Sequence, residues 1–207
     1  MFIQTESTPN PNSLKFLLDL DLDNKSYEFS SIEECSNSDL AKLLFQINGV
    51  EKVFFGQDFI SINKKNYDWD QLKAPILTII SDYISSGKRI LNDTNQIDEI
   101  ENIEFDEKDK STVDQICDVL NAKVKPAVAK DGGDIDFKKF KDGIVYLNLQ
   151  GSCAGCPSSS ITLKNGIENI LKDFETFVGR KIIIREIAAD YFFEFECEIA
   201  IFKFPSC

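Results

Sequence analysis

The chain contains no histidine among its 207 residues. That excludes imidazole acid–base catalysis, Ser–His or Cys–His nucleophile pairs, and any imidazole metal ligand. Positive charge is also scarce: 23 Lys and Arg stand against 35 Asp and Glu, for a formal net charge of −12. With no basic patch to attract a phosphate backbone, no nucleic-acid partner is expected. No stretch approaches the ~20 apolar residues of a membrane helix, so no membrane partner is expected either. The opening Met1-Phe-Ile-Gln-Thr5 lacks the basic flank and long apolar run of a signal peptide, and the Arg-rich character of a transit peptide. A cytoplasmic, bacterial location follows, or the mitochondrial matrix for a chain whose presequence has been removed.

What is present is apolar mass, with 43% hydrophobic residues and 17 Phe, enough for two ordinary cores. Residues 88–110 carry eight acids against four bases with no clear amphipathic period. Such a segment solvates rather than packs. The expected division is therefore residues 1–88 as one domain, 89–110 as an acidic linker, 111–190 as a second domain, and 191–207 as a tail. The fold class is α+β, two small α/β-sandwich-like domains joined by that linker.

In the first domain, a strand around Phe2 to Thr5 leads into the double turn signal Thr8-Pro-Asn-Pro-Asn12. Alternation marks strands at 13–17 and 26–29. A helix begins at the capping residue Ser38 and runs to Phe45. Residues 50–55 and 59–62 form a hairpin about Gly56-Gln-Asp58. Leu72, Ile76, Ile79, Ile80 and Tyr83 mark one face of a helix over 69–85.

In the second domain, Ser111-Thr-Val-Asp114 is a capping-box variant opening a helix whose face is Val113, Ile116, Cys117, Leu120 and Val124. Pro126 kinks or ends it. Asp131-Gly-Gly-Asp134 is a turn that needs glycine. Strands at 135–140 and 144–149 join through Lys141-Asp-Gly143, a strong hairpin signature. A helix over about 158–174 and a strand over 181–187 complete the unit.

The six cysteines are Cys35, Cys117, Cys153, Cys156, Cys197 and Cys207, too scattered for a disulfide framework. Cys153 and Cys156 are the closely spaced pair, within Gly151-Ser-Cys-Ala-Gly-Cys-Pro157. The order strand, cysteine turn, helix puts both thiols near a helix N-terminus, where dipole and amides favour thiolate. A tetrahedral thiolate site or an iron–sulfur cluster normally takes four ligands. One chain supplies half a site, which points to sharing between subunits. Competing readings are a pair of core thiols, a dithiol oxidoreductase of thioredoxin type, and a zinc-bridged structural dimer. The first is disfavoured by the flanking glycines, the second by Ala154-Gly155 where a proline normally stands between the cysteines. The ligand set alone leaves the zinc reading open. Cys117 reads as a buried core thiol, Cys35 as incidental, and Cys197 and Cys207 as minor candidates in the tail.

Asp131-Gly-Gly-Asp-Ile135, the run from Gly143 through Gly151-Ser-Cys-Ala-Gly-Cys-Pro157 to Ser160, and Leu163-Lys-Asn-Gly-Ile-Glu168 together resemble the C-terminal domain of NifU, the Nfu family. The opening sixteen residues, with Val53-Phe-Phe-Gly-Gln-Asp-Phe-Ile60, resemble the N-terminal domain of Nfu proteins. The resemblance covers about residues 1–90 and 111–172. It implies a non-enzymatic iron–sulfur scaffold or carrier that receives a [4Fe–4S] cluster and passes it to apoproteins. It implies Cys153 and Cys156 as ligands, a cluster shared between two subunits, a homodimer when loaded, and an upstream cluster donor. After Lys172 the sequence departs from the family pattern, ending in an aromatic-rich tail that reads as a strand, an oligomer contact or an altered reading frame.

Overall fold

The computed structural model describes residues 3–18, 22, 25–92, 104–154, 165–167, 170 and 183–186. Cys156, Cys197 and Cys207, most of the expected helix over 158–174, and the tail lie outside them. The architecture is α+β, as expected. Among the described residues, strands β1 (Gln4–Ser7), β2 (Ser13–Leu17), β3 (Tyr27–Phe29), β4 (Val50–Phe55) and β5 (Phe59–Lys64) form an antiparallel sheet of order β1-β2-β5-β4-β3. β1 begins two residues later than the pattern predicts, within the chain's approach to the turn at Thr8. Helix α1 (Asp39–Phe45) starts as expected, with the Ser38 hydroxyl accepting from the Ala41 amide at 3.2 Å. Helix α2 (Trp69–Ser85) buries Leu72, Ile76, Ile80 and Tyr83 of the face its spacing announces, while Ile79 is half-buried at its edge.

Period-2 alternation sends Leu14, Phe16, Val53, Phe55, Ile60 and Ile62 to one sheet face, where α1 and α2 cover them. Cys35 belongs to this core as well. It sits in a 3₁₀ turn over Ile32–Asn37 and is fully buried, so it is a packing residue rather than an incidental one. Phe16 is 0% exposed at the centre of the cluster. Phe16→Ala should cost about 3–5 kcal/mol, read as a lower urea midpoint for the first domain.

The second domain pairs β6 (Gly133–Lys141) with β7 (Ile144–Gly151) antiparallel, and β7 with β8 (Ile183–Glu186) in parallel. The hairpin turn has positive φ at both Asp142 (51°) and Gly143 (82°), the type I′ geometry that Asp-Gly favours. A bulge between Phe137 and Lys139 resets the alternation, so Phe137 and Phe140 both point inward despite their odd spacing.

Helix α3 (Lys110–Val119) starts one residue before Ser111, and its N-cap, Asp109, makes no side-chain capping bond; the capping box is not used. Pro126 does not end the helical run. A π-helical turn at Leu120–Val124 leads into α4 (Lys125–Lys130), which takes Pro126 in its first turn, where the missing amide costs little. Val113, Ile116, Leu120, Val124 and Val128 therefore stay on one face over β6 and β7. Cys117 is half-buried at the edge of that core. At the two ends of the acidic segment, Ile90 and Leu91 pack on the first core and Phe105 on the second.

Candidate functional site

Cys153 follows β7 in a turn that is pinned to the Asp131-Gly-Gly-Asp134 turn beside it. The Ser152 amide donates to the Gly132 carbonyl at 3.1 Å, and the Ser152 hydroxyl donates to the Asp131 carbonyl. Gly133 pairs with Gly151 at the end of the hairpin. A Cβ on Gly133 would stand 2.8 Å from the Cys153 sulfur and 2.5 Å from the Gln150 carbonyl oxygen. Glycine is thus what lets the sulfur approach the strand. Gly132 and Gly151 have φ of +82° and +67°, which other residues adopt only with strain. The two glycine-rich motifs are therefore one structural unit, with Cys153 seated between them, 2% exposed. Its designated companion, Cys156, lies outside the described residues.

The other described thiols are poor ligands. Burial pushes Cys35 up to about 11, with Glu34 adding to the effect. Cys117 is also raised, by burial and then by Asp114 and Asp118. Among the described residues no group of three or more cysteine and carboxylate side chains is gathered to hold a metal.

What alternation alone does not reveal is the second face of the five-stranded sheet. Asn63 and Ser61 alternate with core residues in β5, yet they are 7% and 1% exposed. Phe54 and Phe59 lie on that same face, each 1% exposed, with ring centroids 5.8 Å apart. The cysteine turn covers this face. Ser61 Oγ donates to the Gly132 carbonyl at 2.6 Å, Asn63 Nδ2 to the Gly151 carbonyl at 3.4 Å, and Asn10 Nδ2 to the Ser152 carbonyl at 3.0 Å. Lys15 Nζ donates to the Ala129 carbonyl at 3.0 Å and lies 4.5 Å from the Phe59 ring centroid. In the opposite sense, the Gly151 amide donates to Glu28 Oε1 at 2.9 Å. Burial raises Glu28 above the usual carboxylate range, and Lys52 and that amide offset part of the effect. Covering two phenyl rings contributes about 2 kcal/mol each. The signal that had been available is the pair Phe54 and Phe59 on an otherwise polar face.

Family comparisons match both halves of this arrangement. A family model described as scaffold protein Nfu/NifU N terminal matches residues 3–87, and one described as NifU-like domain matches residues 116–176. The chain belongs to the Nfu family. Over 175 residues, 83% of this Nfu chain, it is 45% identical to the NFU1 iron–sulfur cluster scaffold homologue, mitochondrial, of Drosophila sechellia, and spans 61% of that protein. It is likewise 45% identical to the Homo sapiens protein of the same name, over 83% of this chain and 67% of that one. This Nfu chain thus spans less than two thirds of the fly relative's length. A solution structure of a NifU-like protein from Saccharomyces cerevisiae is similar at 30% identity, with a TM-score of 0.42, over 45% of this chain and 87% of that one.

The Asp131-Gly-Gly-Asp134 motif and residues 151–154 of the cysteine motif, both of which carried the resemblance, interlock around Cys153. In this Nfu chain Lys125 pairs with Asp134 and Asp136, at 3.6 and 3.3 Å. Burial opposes the charge on Lys125, but the two carboxylates outweigh it and hold its pKa above the ordinary value. That cluster ties α4 to β6.

Proposed function

We propose that this chain is an iron–sulfur cluster scaffold and carrier, not an enzyme. Cys153 and Cys156 of each of two protomers bind one [4Fe–4S] cluster, received from an upstream donor and passed to apo client proteins. The observation that carries this reading is the interlocked glycine turn that seats Cys153 at the end of β7, in a chain of the Nfu family. Four thiolates complete the ligand set of such a cluster, and one chain offers two closely spaced ones.

The cluster is cargo. It leaves when thiolates of a recipient replace Cys153 and Cys156 in succession, each released cysteine thiolate being protonated or taking a new partner. Residues 1–88 and 111–190 act as the two functional units, joined by 89–110, with 191–207 as an appended tail. The relatives' names carry the word mitochondrial, which goes with the matrix and gives no support to a bacterial cytoplasm.

Sedimentation of anaerobic apoprotein and reconstituted holoprotein at equal concentration tests the sharing of the cluster. Apoprotein should be monomeric or weakly associated, and holoprotein dimeric with one cluster per pair. A strict monomer holding a full cluster would defeat the shared site. Iron and sulfide analysis with Mössbauer spectra separates this reading from a zinc-bridged dimer. Insulin-type disulfide reduction by iron-free protein would point to the oxidoreductase instead.

A further inference from the structure

The first domain's sheet has two buried faces, and the second is a receptor for the cysteine turn. Five polar side chains on or beside it meet backbone groups of the other domain. Four donors, on Asn10, Lys15, Ser61 and Asn63, meet the carbonyls of Ser152, Ala129, Gly132 and Gly151. One acceptor, Glu28, meets the Gly151 amide. Between them, Phe54 lies against Gly151, where an added Cβ would come within 2.9 Å of its ring. Lys15, Ser61 and Asn63 are nearly buried polar side chains on the face turned away from the core, an expensive placement unless a partner supplies their hydrogen bonds. The partners here are Ala129 of α4, Gly132 of the adjoining turn and Gly151 of the cysteine turn.

We propose that this face docks the chain's own cysteine turn and holds it closed, so that the first domain gates access to Cys153. The two residues before Cys153 are both gripped by the first domain, through the Ser152 carbonyl and both backbone groups of Gly151. Cys153 packs in the second domain's own core, 2% exposed, and a ligand shared with a second protomer must present its sulfur outward, a rearrangement of the turn that the grip on Gly151 and Ser152 opposes. Loading and release therefore proceed from the undocked form, and the undocked fraction scales their rates. Once released, the same face, with Phe54 and Phe59 uncovered, recloses on the emptied turn. This gating rests on the cargo reading above; the docking itself does not.

Two variants remove docking without touching the first core. Asn10→Asp keeps the acceptor that receives the Asn12 amide at 3.0 Å, and turns the donor facing Ser152 into a second acceptor. Ser61→Asp sets a carboxylate against the Gly132 carbonyl, on the sheet face away from α1 and α2. Small-angle scattering of the full-length apoprotein should show a larger radius of gyration for either variant than for the parent, with the first domain's urea midpoint retained. Initial cluster uptake from a limiting inorganic iron and sulfide supply should rise ~5- to 10-fold. Equal radii for parent and variants would overturn docking. So would a parent whose mass doubles with concentration and whose variants stay single, since the turn would then sit on a second copy. Expanded variants with unchanged uptake would overturn gating. A protein that takes up no cluster in any version sinks the cargo reading, while scattering still decides docking by itself.

Discussion

Cys153→Ser and Cys156→Ser should each abolish cluster binding while leaving both domains folded. Either change removes two of the four thiolates of a shared site, and a serine hydroxyl is a poor ligand for iron at neutral pH. Reconstituted protein should therefore fall to about zero cluster per dimer. The fold survives because serine is smaller than cysteine, and Cys153 sits against Gly133, where space and not bulk is the requirement. Placing a hydroxyl at a site that is 2% exposed costs about 1–2 kcal/mol, well within the reserve of a small domain. Anaerobic reconstitution followed by iron and sulfide determination reads the effect directly. A cluster of normal spectrum and stoichiometry in Cys153→Ser protein would remove Cys153 from the ligand set. Cys117→Ser serves as the control and should retain the cluster, because Cys117 lies on α3 at the edge of the core.

Gly151→Ala should be far more damaging than its single methyl group suggests. The backbone at Gly151 has φ of +67°, which costs an alanine about 1 kcal/mol or more. The added Cβ would also lie 2.6 Å from the Gly132 carbonyl oxygen and 2.9 Å from the Gly133 Cα, both backbone atoms that no rotamer change can move. Together these should destabilise the second domain by about 3 kcal/mol or more, lowering its midpoint by roughly 12 °C or more. The same residue gives both its backbone groups to the first domain, so docking is lost as well. Differential scanning calorimetry should show the second domain's transition moving and the first domain's staying in place. A midpoint within 3 °C of the parent, about what 0.5 kcal/mol produces, would show that the two turns slide apart freely.

The readings that held are those governed by neighbours in the chain. The spacing of Leu72, Ile76, Ile80 and Tyr83, the Ser38 cap and the Asp142-Gly143 turn each act over a few residues, and each appears where it was expected. The readings that failed depend on what lies across a gap in sequence. Pro126 was expected to kink or end the helix; the helical run continues instead, with an irregular π turn just before the proline, which stands in the first turn of the next helical segment. Cys35 stands among polar residues in sequence, yet a 3₁₀ turn carries it into the first core. The burial of Ser61 and Asn63, for which no expectation was drawn from the sequence, comes from the second domain packed on that sheet face.

By itself the sequence determined that this chain has no imidazole chemistry, that it folds as α+β, and that Cys153 and Cys156 are its closely spaced thiol pair, half the number a four-thiolate site would take. Those conclusions need only composition, local periodicity and ligand counting, all properties of residues close together in the chain. The tertiary structure decided that the Asp131-Gly-Gly-Asp134 turn and the cysteine turn are a single unit, because residues twenty positions apart meet through the β6–β7 hairpin. It also decided that the first domain holds that unit. Backbone carbonyls carry no side-chain signature, so a surface built to bind the carbonyls of Gly132, Gly151 and Ser152 cannot be read from the residues that present them.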